Sequence, residues 1–163
     1  MFASMADTAY PIETVDFFRL IAAGIEQDDA LRIARDAAVR FDLNRKPFGS
    51  PSGALGTSGC SLYEALAEGH KAFAEYQPYT TRKAADLVSM SESAIGAAAN
   101  RLIEHGFMEK RRNGRSFEYR VLIPKTALVE CADHYLAADQ PGTLWYDYDR
   151  PLGEKLKKML ADE

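Results

Sequence analysis

The stretch SMSESAIGAAANRLIEHGFMEKRRNGRSFEYRV, residues 89–121, decides the fold of this chain. Ser91 occupies the position of a helix N-cap, and a periodic run of small and apolar residues follows it. Gly106 is typical of the residue that ends a helix. Two short charged and aromatic runs then flank Asn113-Gly114, a strong hairpin pattern. The stretch therefore predicts one helix followed by a two-stranded hairpin.

Two further short helices are predicted immediately upstream. The segment SLYEALAEGHKAFAEYQ begins with a Ser-x-x-Glu capping box formed by Ser61 and Glu64, and Pro78 ends it. The segment TTRKAADLVSM is capped by Thr80 or Thr81, with Ala84, Leu87 and Val88 predicted to face inward. The order of parts is thus three helices and a hairpin.

The hairpin has two faces of different character. Pairing across a two-residue Asn113-Gly114 turn sets Arg112 opposite Arg115. One face then carries Met108, Lys110, Arg112, Arg115, Phe117 and Tyr119. The other face carries Glu109, Arg111, Glu118 and Arg120, whose alternating signs can neutralise one another.

Three helices and a hairpin over residues 61–123 resemble the winged helix-turn-helix of bacterial transcription regulators. The phrase SESAIGAAANRLIEHGFMEKRR resembles the recognition helix and first wing strand of the MarR group. The phrase RRNGRSFEYRV is similar to the wing of the ArsR group. This resemblance covers about two fifths of the chain. It implies binding of double-stranded DNA by a homodimer, through a recognition helix over 91–105 and a wing over 107–122.

The distribution of charge favours the same function. The whole chain has a formal net charge of -4 and a pI of about 5.5, which excludes a uniformly basic coat. Residues 80–125 nevertheless contain nine Lys or Arg and five Asp or Glu, a local charge of +4. A concentrated positive charge of this kind suits contact with phosphates, which supply most non-specific affinity for DNA.

We expect the DNA-contacting residues to come from the second helix, the recognition helix and the wing. The candidates are Arg82, Lys83, Ser91, Ser93, Ala97, Asn100, Arg101, Lys110, Arg111, Arg112, Asn113 and Arg115. Several outward positions of the recognition helix are Ala or Gly, which approach DNA closely but read few base edges. Asn100 and Arg101 are its only long or bidentate candidates. The arginines at the wing tip suit a narrow minor groove.

The flanks complete a mostly α-helical prediction. Residues 1–45 form an N-terminal segment with helices over 12–25 and 28–43, and residues 46–60 form a Gly/Ser/Pro-rich loop or linker. Residues 124–163 form C-terminal helices, the first opened by Pro124 and the last following the aromatic stretch LWYDYDRP. Three apolar stripes on these flanks predict a homodimer, because a monomer of this size would not readily cover them.

The sequence gives weaker evidence for other kinds of site. Cys131 and His134 could share a metal with Asp133 or Cys60, and Cys60 could be a redox switch, but a structural role is favoured for each. Trp145, Tyr146 and Tyr148 could line a ligand pocket or fill a helix junction. No phosphate loop, nucleophile elbow or paired-carboxylate motif is present, so we expect a non-enzyme without cofactor or metal.

The sequence therefore predicts a cytoplasmic DNA-binding transcription regulator, more readily a repressor than an activator. The start MFASMADTAY has no signal-peptide pattern, and no stretch is apolar enough to span a bilayer. The sequence leaves open whether the protein has a small-molecule effector or a protein partner. The alternatives are a winged-helix docking factor, for example phage- or plasmid-encoded, that acts on a host assembly, and a replication or architectural DNA binder.

Overall fold

The structure, a computed structural model, describes residues 12–49, 53–137, 142 and 144–162, and for residues 144–146 the backbone only. These ranges form a mostly helical fold with two small antiparallel sheets. The helices are α1 Phe17–Ala22, α2 Gln27–Asn44, α3 Gly56–Ala67, α4 Lys71–Ala74, α5 Thr81–Val88, α6 Glu92–Glu104, α7 Lys125–Leu136 and α8 Leu144–Ala161. The strands are β1 Thr14–Val15, β2 Gln77–Tyr79, β3 Met108–Asn113, β4 Ser116–Val121 and β5 Ile123–Pro124. None of the helices in these ranges is long and apolar enough to cross a membrane.

The predicted caps of the two central helices are confirmed. The Oγ1 of Thr80 accepts a hydrogen bond from the Lys83 amide at 3.1 Å, so α5 begins where the sequence placed it. The Oγ of Ser91 accepts from the Ala94 amide, also at 3.1 Å, at the start of α6. Gly106 follows α6 with a φ of +84°, the left-handed conformation that closes a helix.

The first predicted helix is shorter than its apolar spacing indicated. Asp16 caps α1 by accepting from the Phe18 amide at 2.9 Å, so the helix cannot begin at residue 12. The residues before it form β1, where Val15 pairs with Ile123 of β5. The N-terminal segment is thereby joined to the strand that follows the hairpin.

The predicted Gly/Ser/Pro-rich loop ends earlier than expected, because α3 begins at Gly56. Leu55 is fully buried, and its amide and that of Gly56 donate to the Asp42 carboxylate at 2.7 and 2.8 Å. Ser61 and Glu64 are therefore interior positions of α3, and the predicted capping box is wrong. An acidic side chain from α2 caps this helix instead.

The region predicted as one helix up to Pro78 is also divided. The chain turns at Gly69 and His70, and Pro78 lies within β2. β2 pairs with β4, so the predicted two-stranded hairpin is the larger part of a three-stranded sheet of order β2-β4-β3. A proline is tolerated in β2 because an edge strand needs no second set of amide donors.

The hairpin register differs by two residues from the prediction. Asn113 pairs with Ser116, and Gly114-Arg115 form the loop. Gly114 has a φ of +66° at the first loop position, where a type II′ turn uses glycine. Because the shift is an even number, each side chain that stays in the paired strands keeps its predicted face, whereas Arg115 moves into the loop.

The C-terminal prediction is half right. α7 begins after Pro124 as expected, but α8 runs without interruption through Pro151. A proline removes one helical hydrogen bond, so tertiary contacts must compensate for it. Buried Leu152 and Leu156 supply such contacts, and Gly153 lies so close to α7 that an added Cβ would be 2.9 Å from the Leu136 Cγ.

Most of the flanking apolar residues are covered within one chain. The stripes predicted to need a second subunit are largely buried, as shown by Val15, Ile25, Leu128, Ala132, Tyr135, Leu152, Leu156 and Met159. This burial removes the argument that a monomer could not cover them. The large apolar side chains of the flanks that stay exposed, among the described residues, are Ile12, Phe18, Ile21, Val39, Leu43, Phe48 and Tyr148.

Candidate nucleic-acid interface

The helix pair α5–α6 forms the first part of the candidate interface. Ser89 ends α5 with a φ of +54°, which turns the chain sharply toward α6. Ile95 and Leu102 anchor α6 in the core. Leu87 was predicted to face inward but is 63% exposed, and Ala85 is buried instead. The correction follows from helical phase, since Ala84, Ala85 and Val88 define the inner side of α5.

The outward face of α6 carries small and polar groups. Ser93, Ala97 and Asn100 are exposed, in agreement with the predicted positions. Gly96 lies between them, and a Cβ built there would have no atom within 4 Å. The face is thus shallow, with the Asn100 amide as its longest uncharged polar group and Ser91 engaged as the cap. Such a surface permits close approach to a partner but offers few hydrogen bonds.

Arg101 was predicted to point outward, and the structure corrects this. Its Nε donates to the Leu55 carbonyl at 2.8 Å, and an Nη donates to the Ser58 hydroxyl at 2.9 Å. The side chain thereby ties α6 to the first turn of α3. Sequence reasoning missed this role because Ser58 is distant in the chain, in the segment predicted to be a loop.

One face of the three-stranded sheet is basic and aromatic. The Nζ of Lys110 lies 5.2 Å from the centre of the Tyr79 ring and 5.0 Å from that of Phe117. The guanidinium carbon of Arg112 lies 5.5 Å from the Phe117 ring centre, and its Nε donates to the Gly114 carbonyl at 3.2 Å. Aromatic contacts hold these cations in place without neutralising them.

The opposite face of the sheet is electrically neutral, as predicted. Arg111 pairs with Glu118 at 2.9 Å, and Arg120 pairs with Glu109 at 3.7 Å. The guanidinium of Arg111 also stacks 3.5 Å from the centre of the Tyr76 ring. Arg111 therefore already has a carboxylate and an aromatic partner. It is a poorer candidate for a contact with a DNA phosphate than the sequence indicated.

Besides Lys110 and Arg112, three predicted cations have no carboxylate partner in the part of the chain that the structure describes. Arg82, Lys83 and Arg115 are exposed, and their side chains make no hydrogen bond or ion pair there. Tyr79 ends β2 directly before the Thr80 cap of α5 and contacts Lys110, so the start of α5 adjoins the basic face of the sheet. Sequence reasoning missed this link, although the aromatic residues on both sides of Pro78 are compatible with an edge strand.

The cysteines are not placed for thiolate chemistry. Burial, followed by the Asp42 charge, raises the pKa of Cys60 to about 11, and burial raises that of Cys131 to about 12. Cys131 lies in the core, where its thiol contacts the Ile33 carbonyl. No three His, Cys, Asp or Glu side chains within the described ranges lie close enough to hold a metal.

The aromatic stretch near the C-terminus is described in part. The side chains of Trp145 and Tyr146 lie outside the described residues. Tyr148 is half-exposed and donates its hydroxyl proton to Asp29 of α2 at 2.9 Å.

In total, five of the predicted cations are exposed and lack a carboxylate partner within the described ranges: Arg82, Lys83, Lys110, Arg112 and Arg115. They surround the sheet and the start of α5, beside the shallow face of α6. Comparison of this chain with protein-family models, with curated proteins and with solved structures finds no match.

Proposed function

We propose that residues 61–123 form a winged helix-turn-helix that binds double-stranded DNA, and that the chain is a transcription regulator, more readily a repressor, acting as a homodimer. In this proposal α5 and α6 are the helix-turn-helix, and β3 and β4 are the wing. The resemblance to MarR- and ArsR-type regulators supports it. The cytoplasm is the compartment in which such a protein would act.

The observation that carries the proposal is the set of five cations without carboxylate partners. Proteins usually neutralise surface charges locally, as the opposite face of this sheet does through Arg111 and Glu118. Leaving five positive charges uncompensated in one region favours an anionic partner. A DNA backbone, with its regular phosphates, satisfies charges that are spread over a helix start and a hairpin.

The shallow face of α6 supports groove entry but limits sequence readout. Ser93, Gly96 and Ala97 would let the helix backbone approach the bases closely, and Ala97 can contact a thymine methyl. Asn100 is the candidate for a bidentate contact with adenine. The wing cations would supply affinity on all sequences, so we expect moderate specificity from each subunit.

The wing provides the test of this proposal. Replacing both Arg112 and Arg115 with Ala should weaken binding on every DNA sequence and flatten the salt dependence by roughly one unit for each phosphate that is no longer neutralised. The thermal midpoint should hardly change, because both side chains are exposed. Fluorescence anisotropy with labelled duplexes at two salt concentrations measures the affinity and the slope.

The matched control removes two exposed positive charges outside the central unit, by Lys46→Ala with Lys158→Ala. The control changes the net charge equally, so it should retain nearly all of the DNA affinity. If the wing variant binds as well as the wild type, or if the control loses as much affinity, the proposed role of the hairpin is wrong. Retention of particular genomic fragments by the wild type would distinguish a regulator from an architectural binder.

Exposed apolar residues on the central unit favour a second function, protein docking. Leu87 on α5 is 63% exposed and Phe117 on β4 is 38% exposed. Among the described residues they are the large apolar side chains that the central unit exposes, and they would be the anchors of a docking surface. Absence of DNA binding at both salt concentrations would favour this docking function.

A further inference from the structure

A cavity of about 630 Å³ lies among the flanking helices, away from the sheet and α6. Its walls come from α2, α7 and α8, which pack into one helical layer. The lining residues are Arg32, Asp36, Val39, Arg40, His134, Tyr135, Ala137 and Asp149. Four of these are charged at neutral pH, which is unusual for a gap between packed helices.

Three of the charged groups on the wall form a network that has one net negative charge. Arg32 pairs with Asp149 at 2.8 Å and with Asp36 at 3.4 Å. The Tyr135 hydroxyl donates to Asp36 at 2.5 Å, and burial raises the pKa of Tyr135, so that this proton is retained. These contacts form a closed network whose carboxylates are already satisfied.

Arg40 is the exception on this wall. Its guanidinium has no carboxylate partner in the part of the chain that the structure describes, and it contacts the Nε2 of His134 at 3.3 Å. Burial, followed by the Arg40 charge, lowers the pKa of His134, so the imidazole is neutral at pH 7. Arg40 is therefore the charged group of the wall that contacts no oppositely charged group among the described residues.

A second donor in the cavity wall is also unsatisfied. The Nη1 atom of Arg32 is closed to water and makes no hydrogen bond to the described residues. A buried donor without an acceptor is costly. The apolar part of the wall comes from Val39, which is 45% exposed, and Ala137.

We propose that this cavity binds a small organic monocarboxylate, whose carboxylate is held by Arg40 and whose apolar body contacts Val39 and Ala137. A monoanion matches the one guanidinium of the wall that has no carboxylate partner among the described residues, whereas a dianion would bring a second negative charge near Asp36 and Asp149. The ligand needs an apolar body because a purely ionic ligand would leave the exposed side chain of Val39 without an apolar contact. This site does not depend on the proposed binding of DNA.

The test compares two probes of the same shape on the full chain. Cyclohexanecarboxylate and its neutral amide are titrated to about 10 mM at pH 7, and backbone amide shifts are followed by NMR. The carboxylate should give saturable shifts at the cavity ends of α2 and α7, and the amide should bind at least about tenfold more weakly. Inorganic phosphate, which has no apolar body to contact Val39 and Ala137, should not saturate these shifts.

A matched pair of variants assigns the charge. Arg40→Gln should weaken carboxylate binding about tenfold or more, whereas Arg35→Gln, which removes a charge from α2 beside Glu64, should change it less than about twofold. Equal binding of acid and amide, tighter binding of phosphate, or an equal loss in both variants would overturn the proposal. Absence of saturable shifts would do the same, and the comparison of probes needs no variant to fold.

Discussion

Asn100 and Arg101 are neighbours on α6 that have different environments. Asn100 is exposed, whereas Arg101 is directed back to Leu55 and Ser58. A side chain that holds two elements together contributes to stability, and an exposed amide is available to a partner. Sequence reasoning gave both residues the same role, and only Asn100 is exposed and available for it.

Substitution by alanine should separate the two roles. Arg101→Ala should lower the free energy of unfolding by about 1.5–3 kcal/mol, because it removes charge-assisted hydrogen bonds. Asn100→Ala should change it by less than about 0.5 kcal/mol, but cost about 1–3 kcal/mol of binding to a cognate site. Urea denaturation and a binding titration measure the two quantities.

An unchanged free energy of unfolding in Arg101→Ala would contradict the structural role of Arg101. Equal losses on cognate and random DNA for Asn100→Ala would make that residue a backbone contact rather than a reader of bases.

Ser89 is a second residue whose conformation matters. Its φ of +54° lies in the left-handed region, where a side chain costs about 1–2 kcal/mol. Ser89→Gly should therefore raise the free energy of unfolding by about 0.5–1 kcal/mol, after allowance for the greater freedom of glycine in the unfolded chain.

The matched control for Ser89 is Ser93→Gly, at an exposed position inside α6. This change should lower stability by about 0.5 kcal/mol, because glycine is a poor helix former. Opposite signs for the two serines, measured by urea denaturation, are expected. Destabilisation by Ser89→Gly would show that the turn is not strained.

At the scale of the element, the hairpin shows which predictions hold although the predicted strand pairing was wrong by two residues. The observed pairing of Arg112 with Phe117 differs by two residues from the predicted pairing with Arg115. Side chains alternate with a period of two, so the basic and the neutral faces are unchanged. The tip does change, because Gly114 and Arg115 form the loop.

Two glycines inside helices make a matched pair at the same scale. Gly96 on α6 faces open space, whereas a Cβ on Gly153 of α8 would lie 2.9 Å from the Leu136 Cγ and 3.0 Å from the Tyr135 Cβ. Gly96→Ala should stabilise the protein by about 0.5–1 kcal/mol through helix propensity. Gly153→Ala should destabilise it by about 1 kcal/mol or more through overpacking.

Thermal and urea unfolding of the two glycine variants measure this difference. Stabilisation by Gly153→Ala would mean that α7 and α8 can move apart at little cost, contrary to the tight crossing.

At the scale of the whole molecule, positive and negative charge are segregated along the chain. Residues 80–125 carry a local charge of +4 within a chain of net charge -4, so the flanks are acidic. Acidic flanks would be repelled by DNA and would leave the central unit as the attractive surface. The flanks also bury most of their own apolar residues, which restricts where a second subunit could pair.

We expect a homodimer with a mass twice 18.1 kDa by light scattering at micromolar concentration. Because Tyr135 is buried, the pairing surface must use exposed residues such as Leu43 and Phe48. Leu43→Asp with Phe48→Asp should give a monomer with weaker DNA binding, since two half-sites about one helical turn apart are then not bridged.

Phe18→Asp with Ile21→Asp, on the separate exposed side of α1, is the control and should remain dimeric. A wild-type mass of one chain would refute the dimer and favour the docking function. Loss of the dimer in the control alone would place the interface on α1.

Features that depend on neighbouring residues were predictable from the sequence. The caps Thr80 and Ser91, the stop at Gly106 and the two faces of the hairpin are all set by contacts within a few positions. Hydrogen bonds to the nearest amides and the strand period of two require no knowledge of distant parts.

The tertiary structure alone decided the features that depend on distant residues. Asp42 starts α3 early, Ser58 draws Arg101 inward, and β4 recruits Pro78 into a third strand. Packing against α7 carries α8 through Pro151. In each case a contact between residues far apart in the chain outweighs a local preference of about 1–3 kcal/mol, which the sequence pattern alone cannot weigh.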